Sequence, residues 1–211
     1  MQDLEDLYMK CAVVLVWFVM CSAAWQRAVG FEAYTVNLYA VDTGASQLLR
    51  WRPASLGTYT VPPDTWFATP VPDEVPSALD LAIDGDIFLL GADGAITRYR
   101  SGQQQSFTLR GLERPLQNPQ AIMTASFISS LYVVDAGNGR IVQLAKTGQF
   151  ERELVGVAGP GDAIRDLWVD EAGGRIFVLT EQRLSEYILP SEGGPTVTLT
   201  PVEPAAAAQG T

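Results

Sequence analysis

Four times the chain returns to a short apolar run centred on an aromatic residue: LYAV at 38–41, IFLL at 87–90, LYVV at 131–134 and IFVL at 176–179. The aromatics Tyr39, Phe88, Tyr132 and Phe177 stand 49, 44 and 45 residues apart. A near-constant interval of this size predicts one folding unit used repeatedly, and four-stranded propeller blades have about that length. Each aromatic run follows another apolar run, at 30–34, 79–83, 121–125 and 166–169. After it come a polar, mostly glycine-bearing turn and a third strand, at 47–51, 95–99, 140–144 and 184–189. A weaker fourth strand is predicted at 65–69, 106–109, 151–155 and 196–200.

Alternation of polar and apolar positions runs through these segments, and nothing after Trp25 sustains a helical period for ten residues. The 13 prolines and 19 glycines fall mainly between the runs, as many short strands require. Asp84-Gly85 predicts a two-residue type I′ hairpin, in which both residues take positive φ. The expected fold is all-β: a partial β-propeller of about four four-stranded antiparallel blades over 27–200. An N-terminal apolar helix within 1–26 precedes it and a flexible tail at 201–211 follows. A radial array leaves sheet edges unpaired unless its ring closes. Four blades therefore predict partners that complete or cover the propeller.

The segment 11–25 reads CAVVLVWFVMCSAAW without a charge. As a helix its 15 residues span about 22 Å, against roughly 30 Å of bilayer hydrocarbon. It is read as a membrane anchor or an export signal, with Ser22-Ala23-Ala24 as a small-residue cleavage site. Asp3, Glu5 and Asp6 ahead of it depart from the basic flank that such signals carry. Cys21 follows Phe18-Val19-Met20, which lacks the small residue expected before a lipidated cysteine.

Charge narrows the partners. The net charge is −10, and only Lys10 and Lys146 among the 14 basic residues are lysines. Without a basic stripe, nucleic acid loses its usual electrostatic attraction. Histidine is absent, which removes the commonest general base and transition-metal ligand. Both cysteines, Cys11 and Cys21, lie in the apolar segment, so the repeats hold no thiolate zinc site, disulfide or cysteine nucleophile.

The stretch LYVVDAGNGRIVQLAKTGQF at 131–150 resembles the NHL repeat of β-propellers. Asp135, Asn138, Arg140, Ile141, Gly148 and Phe150 fall in that pattern's register, with Asn118-Pro119 where the repeat enters. The other three repeats are degenerate: Asp42 keeps the aspartate, Gly91 and Thr180 replace it. Residues 28 to 200 look like extracytoplasmic propeller regions of bacterial membrane proteins, including those fused to PP2C-type phosphatases, although no phosphatase motif is present. The resemblance implies that Asp42, Asp135, Asn138 and Arg140 are structural blade-turn residues, tying strand ends together by hydrogen bonds.

Other chemistry is weaker. AVDTGAS at 40–46 resembles the loop of an aspartic protease, where two aspartates share a proton, as in a retropepsin-like homodimer. The repeat period already accounts for Asp42, however, and no flap or second apolar-glycine loop follows. There is no Gly-x-Ser-x-Gly elbow, Walker loop or dinucleotide fingerprint. Asp84 and Asp86 bracket Gly85 without EF-hand spacing, and a solvated hairpin is expected. No catalytic, cofactor or metal residue is assigned.

The repeated aromatics are expected in the core between blades. Trp51, flanked by Arg50 and Arg52, offers a cation–π rim site or a packed outer strand. Together with Trp66 and Phe67, in the proline-rich insertion 62–76, it marks the expected contact surface. The expected function is a non-catalytic, membrane-tethered or exported interaction and assembly module. Alternatives are the ligand-sensing part of a membrane signalling protein, a propeller hydrolase, or a protease at Asp42.

Overall fold

The computed structural model describes residues 36–55, 58–158 and 162–202. The predicted apolar helix, the strand at 30–34 and all of the tail beyond Val202 lie outside the described residues. No helix among the described residues is long and apolar enough to cross a membrane. The chain divides into two compact units, Met1–Ala78 and Leu79–Thr211.

The N-terminal unit contains β1 (Leu38–Asp42), β2 (Gln47–Trp51), β3 (Pro53–Ser55), β4 (Thr58–Tyr59) and β5 (Asp64–Thr65), then a 3-10 turn at Val75–Ser77. β1, β2 and β5 form an antiparallel meander, with Leu38 opposite Trp51 and Ala40 opposite Leu49. Alternation along β1 and β2 places Val41 and Leu48 in the interior, where Phe67 and Val75 are also buried. β5 is shorter than the predicted 65–69 strand. Prolines at 62, 63 and 70 bound the segment and supply no N–H to a ladder.

The C-terminal unit is built from three further sheets. β6 (Ala78–Asp84), β7 (Asp86–Gly91), β8 (Ile96–Arg100) and β9 (Gln103–Gln105) form the first, in chain order. The second contains β10 (Pro119–Met123), β11 (Ser130–Asp135), β12 (Arg140–Ala145) and β13 (Phe150–Val155). The third contains β14 (Ile164–Asp170), β15 (Arg175–Thr180), β16 (Leu184–Ile188) and β18 (Thr200–Pro201), with β17 (Thr196–Thr198) preceding β18. These four sheets are built mainly of antiparallel neighbours as predicted, β3 and β4 forming a separate two-stranded sheet, and those of the C-terminal unit pack face to face in chain order as propeller blades.

Period-2 alternation explains the stacking. Leu131 and Val133 of β11, with Val142 and Leu144 of β12, pack on Phe88 and Leu90 of β7. The opposite side of β11 and β12, carrying Tyr132, Val134 and Ile141, packs on Leu167, Val169, Ile176 and Val178 of the next sheet. At both junctions within the C-terminal unit, the leading face of one blade thus covers the trailing face of the blade before it. Full burial of a large aliphatic side chain contributes about 1.5–3 kcal/mol, so these faces supply much of the fold's stability.

Four expectations need correction. Asp84 ends β6 in ordinary backbone, and Gly85 alone takes positive φ (69°), so the link is not a type I′ turn. Nor is that hairpin simply solvated: Asp86 is buried against Arg98 and Arg100, and Asp84 pairs with Lys146. The predicted strand at 106–109 is instead β9 at Gln103–Gln105. Phe107 and Leu109 leave the sheet edge to pack in the core between the first two blades, and Arg110 pairs with Gln149. The predicted strand at 196–200 is split: β17 adds in parallel to β13, and β18 completes the following sheet through β16. One segment thereby joins the outer edges of two blades.

Candidate functional site

The turn after β11 carries a dense hydrogen-bond network. A 3-10 turn at Ala136–Asn138 ends on Gly139, whose φ of 63° lets the chain reverse into β12. Fully buried Asp135 accepts hydrogen bonds from Gln117 N–H (2.7 Å), Asn138 Nδ2 (2.8 Å) and Arg140 Nε (2.7 Å). Arg140 also donates to Glu153 Oε2 and to the Arg114 carbonyl, both at 2.6 Å, while Asn138 donates to the Pro115 carbonyl at 3.0 Å. The Arg140 hydrogen bond holds the Glu153 carboxyl below its usual range against the opposing effect of burial. Both carboxylate oxygens of Asp135 and all three nitrogens of the Arg140 guanidinium are occupied by other protein groups. The cluster ties loop, strand and neighbouring edge, and it presents no free nucleophile.

Asp42 stands elsewhere, at the end of β1, and accepts the Ala45 N–H at 2.8 Å. Trp51 and Trp66 are half-buried. Phe67 is buried, and Trp66 meets it edge-on at 4.8 Å. Phe67 therefore cannot serve as an exposed contact, because its ring fills the interior of the N-terminal unit. Arg50 and Arg52 both pair with Asp64, at 3.5 and 2.6 Å, which directs them to a carboxylate.

A polar cavity of about 610 Å³ opens between the second and third blades of the C-terminal unit. Its lining includes Ser129, Tyr132, Gln143, Arg152, Glu171 and Pro190. Glu171 accepts from Ser129 N–H (2.6 Å), Ser129 Oγ (2.7 Å), Ser130 N–H (3.2 Å) and Tyr132 Oη (2.9 Å). Burial opposes its charge, yet these bonds together hold its carboxyl below the usual range. Burial, then the Glu171 charge, pushes the Tyr132 hydroxyl above its ordinary value. Arg152 donates to Gln143 Oε1 at 2.7 Å and to the Pro190 carbonyl at 2.8 Å. In this arrangement the tyrosine and the carboxylate are hydrogen-bonded to each other.

Asp80 was not legible as special beyond being a charge inside the apolar run LDLAI. Its Oδ2 accepts Ile122 N–H from the next blade, and its Oδ1 accepts Leu81 N–H, both at 2.8 Å. Burial pushes its carboxyl up to about 7, against those two bonds and with a smaller push from Asp166. Among the described residues no group of three or more acidic or cysteine side chains is placed to hold a metal ion.

The last blade breaks the burial pattern. Phe88 and Tyr132 are each 1% exposed, whereas Phe177, at the same repeat position, is only half-buried. Leu90 is fully buried, but its equivalent Leu179 is 43% exposed. Leu184, opposite Leu179, and Ile188, opposite Arg175, share that trailing face and are also exposed. Tyr39 in the N-terminal unit is half-buried as well. The expectation that all four aromatics form core thus fails at Tyr39 and Phe177.

No family model and no curated protein matches the chain. Solved structures do. A crystal structure of a nidogen/laminin complex is 15% identical over 68% of this chain, with a TM-score of 0.51. The chain covers 54% of that structure, about half its length. The extracellular domain of a hybrid two-component system from B. thetaiotaomicron is 19% identical over 75% of this chain and 20% of its own, with a TM-score of 0.47. The likeness to the first supports a β-propeller fold.

Proposed function

We propose that this chain is a non-catalytic interaction and assembly module of the propeller class, NHL-like in its third repeat and extracytoplasmic. Its apolar segment 11–25 would provide export or tethering. The observation that carries this reading is the uncovered trailing face of the last blade, where Phe177, Leu179, Leu184 and Ile188 line up on one side. Exposed apolar surface of this kind, on the same side as the Arg175–Glu186 ion pair, favours a protein partner there. The committed hydrogen bonds of Asp135 and Glu171 favour scaffolding over catalysis. Purification of the tagged chain from its native membrane or envelope fraction tests the proposal. A stoichiometric protein partner should accompany the native chain and be lost with Leu184→Glu plus Ile188→Glu. An unchanged set of companions would reject it.

A second reading is ligand sensing, favoured by the polar cavity around Glu171, Tyr132 and Arg152. Ligand-dependent thermal stabilisation that Arg152→Ala abolishes would support it.

A further inference from the structure

The trailing face has a counterpart in the same chain. In the C-terminal unit, the trailing face of one blade is covered by Leu131, Val133, Val142 and Leu144 of the next, each fully buried. Aligning Tyr39 with Tyr132, and their strand partners Arg50 with Gln143, gives the equivalent leading face of β1 and β2: Leu38, Ala40, Leu49 and Trp51. All four are apolar, yet Leu38 is 38% exposed and the other three are only half-buried. Val36, just ahead of β1, is 39% exposed. Among the described residues, one face of each kind is thus left partly exposed, and the two are the halves of a contact that the C-terminal unit makes twice internally.

A polar mark accompanies the apolar one. Asp80 reaches across a blade junction to Ile122 N–H. Asp166 occupies the same position in the last blade, immediately before the inward-facing Leu167, and accepts the Leu167 N–H at 2.8 Å just as Asp80 accepts that of Leu81. Among the described residues, no backbone N–H from a following strand reaches Asp166. The side chain that bonds to the next blade at the earlier junction is thus present at the last one too.

We infer that a second copy of this chain seats the leading face of its β1–β2 sheet on the trailing face of β15–β16. This inference rests on the interaction reading above and names the partner and both surfaces. The contact is heterologous: two different patches meet, unlike the self-complementary patch of a simple two-fold interface. Removing the apolar side chains of both faces from water drives it, and a charge added at Leu38 or Leu184 opposes it through the cost of burying that charge; the trailing face also carries Arg175 and Glu186, which pair with each other at 2.8 Å.

The test uses the full 211-residue chain and sedimentation velocity over a wide concentration range. Two variants are made at exposed positions, Leu38→Glu on the leading face and Leu184→Glu on the trailing face, with circular dichroism to show that each keeps its fold. The native chain should self-associate, and each variant alone should lose about tenfold or more in association constant. Because every chain has both patches, mixing the two variants should restore one good contact and yield a species of doubled mass. Neither variant touches residues 11–25, so association through that segment would be unaffected by both and would overturn the inference. A native chain that stays monomeric throughout would overturn it as well. That outcome would leave the interaction reading standing, provided the envelope purification still yields a different partner protein.

Discussion

Arg140 donates its Nε to Asp135 Oδ2 at 2.7 Å, with both side chains shielded from water. The pair stands five residues apart across one tight turn, and its effect reaches farther. Through Arg140 the same ion pair extends to Glu153 on β13, and through Asp135 it holds Gln117 in the loop before β10. Removing one partner leaves a buried charge uncompensated. Arg140→Ala is expected to cost about 3–5 kcal/mol, measured by urea unfolding. Loss below about 1 kcal/mol would mean that the cluster is dispensable.

Gly148 shows a second local constraint. Its φ is 92°, and a Cβ there would lie 2.3 Å from the Thr108 carbonyl oxygen. The strain and the backbone clash act together, and Thr108 belongs to the segment that crosses between blades. Gly148→Ala should destabilise the fold by more than about 1 kcal/mol in the same unfolding assay, while alanine at exposed Ser106 should be nearly neutral.

Asp80 makes stability depend on pH in an unusual direction. Its carboxyl titrates near 7 when folded and near 3.8 when unfolded. Between those values the folded chain holds the proton more tightly, so unfolding free energy falls as pH rises. The stabilisation is complete below about pH 4 and gone above about 7. For this one group the loss is on the order of 4 kcal/mol. Asp80→Asn imitates the protonated acid and should flatten that portion of the profile, as followed by thermal unfolding from acid to neutral pH. An unchanged slope would show that the effect arises elsewhere.

Much of the fold was legible because its signals are local. The strand at 47–51 begins and ends where alternation placed it, and Tyr39, Phe88, Tyr132 and Phe177 do mark corresponding strands. The spacing of Asp135, Asn138 and Arg140 fits one turn, and the structure brings all three into contact. What escaped depends on distant partners. Nothing near Asp80 announces that Ile122, 42 residues away, will donate to it. The parallel addition of β17 to β13 joins segments from different repeats, which a period-based reading assigns to one repeat each. Phe177 was misplaced for a related reason: a repeat pattern records which side of a strand is apolar, and burial additionally requires a neighbour on that side.

That missing neighbour defines the most direct measurement. Hydroxyl-radical footprinting would compare the native assembly with the isolated chain, reading side-chain oxidation at Phe177, Leu179, Leu184 and Ile188. The interaction account predicts strong protection of these four residues in the assembly, with Phe88 and Tyr132 unreactive in both states. Equal oxidation of the four in both states, with protection appearing on another surface, would contradict it.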